Sequence, residues 1–98
     1  MTDDGDCFIK NGQVFIDSDI YDFLCHGTAI GRGEIKGIKH KHCWIEKGDV
    51  VFDFSNGNEI IIRKEAYYGI GKITKVKRYT KEEAIKKMLN SKHWGSWE

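Results

Sequence analysis

His42-Cys43-Trp44-Ile45-Glu46, Lys47-Gly48-Asp49 and Val50-Val51-Phe52-Asp53 form the stretch that decides the fold. The outer runs are rich in β-branched and aromatic residues, and the middle one is turn chemistry. Together they predict two strands of an antiparallel hairpin. Side chains alternate along a strand, so His42, Trp44 and Glu46 share one face, and Val51 shares a face with Asp53. With so tight a turn, His42 and Asp53 come within cross-strand reach, about 5.5 Å.

Working outward, Ser55-Asn56-Gly57-Asn58 predicts a second turn, with Glu59 to Arg63 returning antiparallel. Lys64 to Tyr68 predicts one helical turn, and Ile70 to Tyr79 a strand. Thr80-Lys81-Glu82-Glu83 is a capping box opening a helix with Ala84, Ile85, Met88 and Leu89 on one face. Upstream, Cys7-Phe8-Ile9-Lys10 and Val14-Phe15-Ile16 flank Asn11-Gly12, a strong hairpin signal. Asp17 or Ser18 is placed to cap a short N-terminal helix through Ile20, Tyr21, Phe23 and Leu24, which Gly27 would end. Residues 27–33 are glycine-rich and predict irregular chain. Residues 34–46 predict one long strand or two, with Gly37 permitting a bulge. The expected fold is one α+β domain over residues 1–98, an antiparallel sheet of about five strands with a short N-terminal helix and a C-terminal helix.

Sixteen basic and fifteen acidic residues give a net charge of +1, which argues against charge-driven binding of a nucleic acid polymer. No apolar run is long enough to span a bilayer. The acidic start, Met1-Thr2-Asp3-Asp4-Gly5-Asp6, lacks the features of a signal peptide. Three cysteines without a secretion signal favour free thiols in a reducing, cytoplasmic setting. Ninety-eight residues make a thin core, so a homo-oligomer is expected.

A histidine oriented by a carboxylate is the base half of a Cys-His-Asp site, and it also occurs as a purely structural pair. Cys25 is the thiol considered for it, against a reading as a small buried hydrophobe. His40-Lys41-His42, with Cys25, His26, Cys43 and His93, shows no recognisable ligand spacing, so no metal and no cofactor are expected. Residues 27–33 with Arg32 can form an anion nest. Arg63 and Lys64, with Tyr67, Tyr68, Trp94 and Trp97, supply charge and stacking surface for a nucleotide-like ligand. The alternative is that the aromatic tail closes the core.

Cys25-His26-Gly27, the His42 to Glu46 strand, Asp53-Phe54-Ser55-Asn56-Gly57, Tyr67-Tyr68, the Tyr79 to Glu83 box and His93-Trp94-Gly95-Ser96-Trp97 together resemble a family of small uncharacterised bacterial and phage proteins. The resemblance runs from about Leu24 onward and implies a coherent fold more than an activity. More loosely, His42-x-Trp44-x-Glu46 followed by Asp53 is similar to the His and Asp strands of transglutaminase-like and papain-like cysteine hydrolases. That similarity implies Cys25 as nucleophile, His42 as base and Asp53 as orienting residue. In those enzymes the cysteine opens a helix, whereas a glycine-rich segment follows Cys25.

Two functions follow as expectations. The first is a phage-derived protein that binds a small anionic, nucleotide-like molecule and sequesters it as a defence signal. It would use His26, Gly27, Thr28, Arg32, Trp44, Arg63, Tyr67, Tyr68 and Trp94. The alternative is a thiol hydrolase built on Cys25, His42 and Asp53.

Overall fold

The computed structural model describes residues 6–30, 38–57 and 59–97. Helix α1 (Cys7–Asp17) is followed by β1 (Phe23–Ile30), β2 (Lys39–Lys47) and β3 (Val50–Asp53). A 3-10 turn at Ser55–Gly57 leads to β4 (Ile60–Arg63), α2 (Lys64–Gly71), β5 (Thr74–Tyr79) and α3 (Lys81–Ser91). The five strands form one antiparallel sheet in the order β4-β3-β2-β1-β5. The protein is therefore α+β, with an N-terminal and a C-terminal helix. No helix among the described residues is long and apolar enough to cross a membrane.

The decisive hairpin forms as expected, with Ile45 opposite Phe52 and Lys47 opposite Val50. The sheet buries both faces. Leu24, Cys43, Ile45 and Tyr79 pack with Cys7 and Phe15 of α1, Ala84 of α3 and Trp97 of the tail. A second cluster joins Cys25, Trp44 and Val51 to Tyr67 of α2. The tail thus closes the core, with Trp97 against Tyr79 and His26.

The N-terminal third differs from expectation. Residues 7–16 are not a hairpin but helix α1. Asn11-Gly12 loses its turn tendency because tertiary contacts use both residues. Cys7, Asn11 and Phe15 recur every four residues on the buried face. At Gly12 a Cβ would sit 2.5 Å from the Trp94 ring, so only glycine admits that close approach. Ser18 ends α1 in extended geometry instead of starting a helix, and its Oγ accepts from the Ile20 amide at 3.3 Å. Phe23-Leu24, expected as helix, begins β1, which lies between β2 and the edge strand β5. An apolar run this short carries no period that separates helix from strand. Gly27 to Ile30 also belong to β1 and are not irregular. The remainder of the glycine-rich segment, including Arg32, and the bulge expected at Gly37 lie outside the described residues.

The C-terminal half needs smaller corrections. Lys64 to Tyr68 extends into the two turns of α2, which take up Ile70, so β5 starts at Thr74. The capping box is present, with Thr80 Oγ1 accepting from the Glu83 amide at 3.2 Å and Glu83 Oε1 accepting from the Thr80 amide at 2.9 Å. Ala84 is buried and Ile85 and Met88 are half-buried, but Leu89 is 62% exposed and faces away from the sheet.

Candidate active site

Past Ile45↔Phe52 the β2–β3 ladder ends, and Asn11 of α1 fills the gap. Its Nδ2 donates to the Cys43 carbonyl at 3.0 Å, and its Oδ1 accepts from the Phe54 amide at 2.9 Å. A side-chain amide has the donor and acceptor of a peptide group, so Asn11 stands in for a missing ladder step. The same Nδ2 also donates to Asp53 Oδ1 at 3.0 Å. One fully buried residue therefore fixes α1 to the strands that carry His42 and Asp53. Cys7 lies four residues before Asn11, one turn away on the same helix face.

His42 and Asp53 project together, with Nε2 3.1 Å from Oδ2. Asp53 takes five hydrogen bonds. Oδ1 accepts from Asn11, from the Ser55 amide at 3.1 Å and from the Ser55 hydroxyl at 2.8 Å. Oδ2 accepts from His42 and from the Tyr67 hydroxyl at 2.7 Å. Burial opposes the Asp53 charge, but hydrogen bonds from His42 and Asn11, the His42 charge and the Tyr67 hydroxyl outweigh it and hold the carboxyl well below its ordinary range. For His42, burial likewise opposes charge. Hydrogen bonds with Asp53 and then with the Cys7 thiol, and the charges of both groups, raise the ring to about 9. The ring is flanked by Trp44 and Tyr67, with centroids 6.1 and 6.3 Å away.

Cys7 is the first residue of α1, and no side chain caps that helix end. Cys25, the thiol expected at this place, is not there. It is 0% exposed on β1, its backbone pairs with Trp44 and Arg78, and its side chain lies within the field of the Glu46 charge. Burial and then the Glu46 charge push that thiol far above its ordinary range, which disfavours it as a nucleophile.

The eight described residues of the nine expected to bind a ligand do not converge. His26, Gly27 and Thr28 line one cleft of about 360 Å³ with Lys41, Lys75 and Lys77. Trp44 is fully buried and donates Nε1 to Glu46 at 3.0 Å. Tyr67 serves Asp53, and Tyr68 donates its hydroxyl to Glu46. Arg63 is exposed beside a separate hollow with Asp49, Lys64, Glu65 and Tyr68. Trp94 lies on Gly12. A third hollow of about 390 Å³ meets His42, Asp53 and Tyr67, with Ile60, Ile62 and Ile73 among its apolar lining. Among the described residues no three His, Cys, Asp or Glu side chains gather to hold a metal ion.

Sequence reasoning missed Cys7, Asn11 and Glu46. For the first two a signal existed, the four-residue spacing Cys7, Asn11, Phe15, but the Asn-Gly hairpin reading hid it. No match to this chain was found among protein-family models, curated proteins or solved structures.

Proposed function

We propose that the protein is a thiol hydrolase or acyltransferase with Cys7 as nucleophile, His42 as general base and acid, and Asp53 as the residue that orients the imidazole. The feature that carries this reading is the His42 ring, held by Asp53 at 3.1 Å and close enough to the helix-opening Cys7 for that thiol to raise the ring's pKa. The loose similarity to papain-like and transglutaminase-like hydrolases supports it, now with Cys7 in the place first given to Cys25.

The Cys7 proton passes to His42, and Sγ attacks a carbonyl carbon to form a C–S bond. The tetrahedral oxyanion meets backbone N–H groups of the first turn of α1, which have no intrahelical partner. The bond to the leaving nitrogen or oxygen then breaks, and His42 returns the proton to the leaving group. Water, giving a proton to His42, attacks the thioester, and the acid departs as the proton returns to sulfur. Asp53 holds the ring tautomer throughout, and Asn11 holds Asp53.

The test is incubation with a panel of activated esters and small amides, followed by peptide mass spectrometry. An acyl adduct on the Cys7 peptide, lost in Cys7→Ser, is the expected result. No adduct, together with alkylation of Cys7 no faster than that of free cysteine, would overturn the proposal.

A second reading is capture of a small anion without chemistry. The 3% exposure of Cys7 favours it, because a reacting carbonyl must reach the sulfur. Cys7→Ala leaves such a binder intact and abolishes a hydrolase.

A further inference from the structure

We infer that the cleft bounded by Lys41, Lys75 and Lys77 is an anion subsite that holds a phosphate or carboxylate of the substrate beside Cys7. The subsite extends the thiol-hydrolase reading and rests on it for its role, while its affinity for anions can be measured without it.

Three observations converge on this cleft. The first is charge. The chain carries nearly equal numbers of basic and acidic residues, yet the lining has three lysines and no carboxylate. The hollow beside Arg63 differs, since Asp49 and Glu65 line it as well. Neither Lys75 nor Lys77 forms an ion pair with a described residue.

The second is backbone strain. The β1–β5 register shifts between His26↔Lys77 and Thr28↔Thr74, so Lys75 and Val76 together oppose Gly27. This is a β-bulge, and Lys75 occupies it at φ 57°, a left-handed conformation that glycine adopts without cost. Lys72 and Lys92 take similar angles as helix C-caps, whereas Lys75 takes its angle inside a strand with its side chain lining the cleft.

The third is position. Gly27 pairs with His42 and Thr28 with Lys41 across β1 and β2. His26 in the lining packs edge-on against Phe8, the residue after Cys7, with ring centroids 4.8 Å apart. Lys41 and Thr28 project to the sheet face opposite His42, the face that α1 covers, and Trp97 of the lining packs in one cluster with Cys7. The cleft's volume of about 360 Å³ suits a compact group and not a polymer.

The experiment titrates the whole protein with inorganic pyrophosphate and, in parallel, with glutarate, following backbone amides by NMR. Shifts centred on Thr28, Lys41 and Lys77 are expected with at least one of the two, and the tighter ligand identifies the group. Lys75→Gln/Lys77→Gln should weaken binding at least tenfold, and Lys86→Gln/Lys87→Gln on α3 should leave it unchanged. Lys75→Gly should raise the thermal midpoint while weakening binding, because strain is relieved and a charge is lost. Absence of binding by either anion up to tens of millimolar, or equal binding by both lysine pairs, would overturn the subsite.

The link to Cys7 is read separately, from the ratio of alkylation by iodoacetate to that by iodoacetamide. The ratio should fall at least threefold in Lys75→Gln/Lys77→Gln, and pyrophosphate should protect Cys7. Anion binding without protection would refute placement beside the thiol. Anion binding with a Cys7 that neither reagent modifies would refute the hydrolase reading and leave the anion site standing.

Discussion

Two buried carboxylates, Asp53 and Glu46, lie on the same hairpin, and each has a thiol close by. Glu46 accepts from Trp44 and Tyr68, from Arg78 Nε at 2.9 Å, and pairs with Lys64 at 3.4 Å. Burial opposes its charge, but the Tyr68, Trp44 and Arg78 hydrogen bonds and the Arg78 charge lower its pKa overall. Apart from neutral donors, its partners are the cations Arg78 and Lys64, so the cluster is an electrostatic clamp. Asp53 instead pairs with an imidazole, a side chain that can exchange a proton, its pKa raised here to about 9. The thiols divide the same way. Cys25 meets Glu46, which disfavours its ionisation, while Cys7 meets His42. The partner of each carboxylate, and not the carboxylate itself, separates a site poised for chemistry from one that holds the sheet together.

The largest expected effect breaks the comparison at its thiols. Cys7→Ser should abolish acyl-adduct formation, a loss of at least ~10³-fold, the order at which removing a nucleophile acts. Cys25→Ser should leave adduct formation within about twofold in the protein that folds. Rates measured by mass spectrometry on both variants decide it, and the reverse pattern would restore Cys25 as the nucleophile.

Stability should follow the other carboxylate. Glu46→Ala strands the buried Trp44 N–H and unpairs Arg78. It should cost about 2–4 kcal/mol in urea unfolding, below the ~3–5 of a fully buried pair because Arg78 is 41% exposed. Cys7 alkylation should change less than about threefold in the folded variant. A large loss of alkylation with little loss of stability would erase the distinction between clamp and site.

Asp53→Asn sharpens the same contrast. It keeps most of the shape but removes the charge that sets the ring, and should slow Cys7 acylation roughly 10- to 100-fold at neutral pH. Equal rates for variant and parent would make His42–Asp53 a structural pair.

The smallest effect is in pH dependence. His42 is raised from 6.5 to about 9, so its contribution to stability is complete below pH 6.5 and fades as pH rises towards 9. Asp53 is lowered from 3.8, so its contribution is present above that value and is lost as pH falls below it. Urea midpoints measured across pH should therefore be highest between these limits, and His42→Ala should remove the alkaline decline. Glu46→Gln should weaken the acid decline, because the Glu46 pKa is lowered, and leave the alkaline one, which belongs to His42.

Residues 42–53 determined much of this by themselves. Alternation and a tight turn placed His42 and Asp53 on one face of neighbouring strands, because strand periodicity and short-range turn geometry are local. The capping box at Thr80 was legible for the same reason, as its partners are three residues apart. The location of the N-terminal helix and the identity of the thiol were not local. Asn11-Gly12 favours a turn in isolation, and only the Cys43 carbonyl, the Phe54 amide and Asp53, all more than thirty residues away, make Asn11 worth more inside a helix. Cys7 and Cys25 are equivalent on paper. Packing sets one against an imidazole and the other against a carboxylate, and a thiol's chemistry is fixed by the charge beside it, which only the tertiary structure decides.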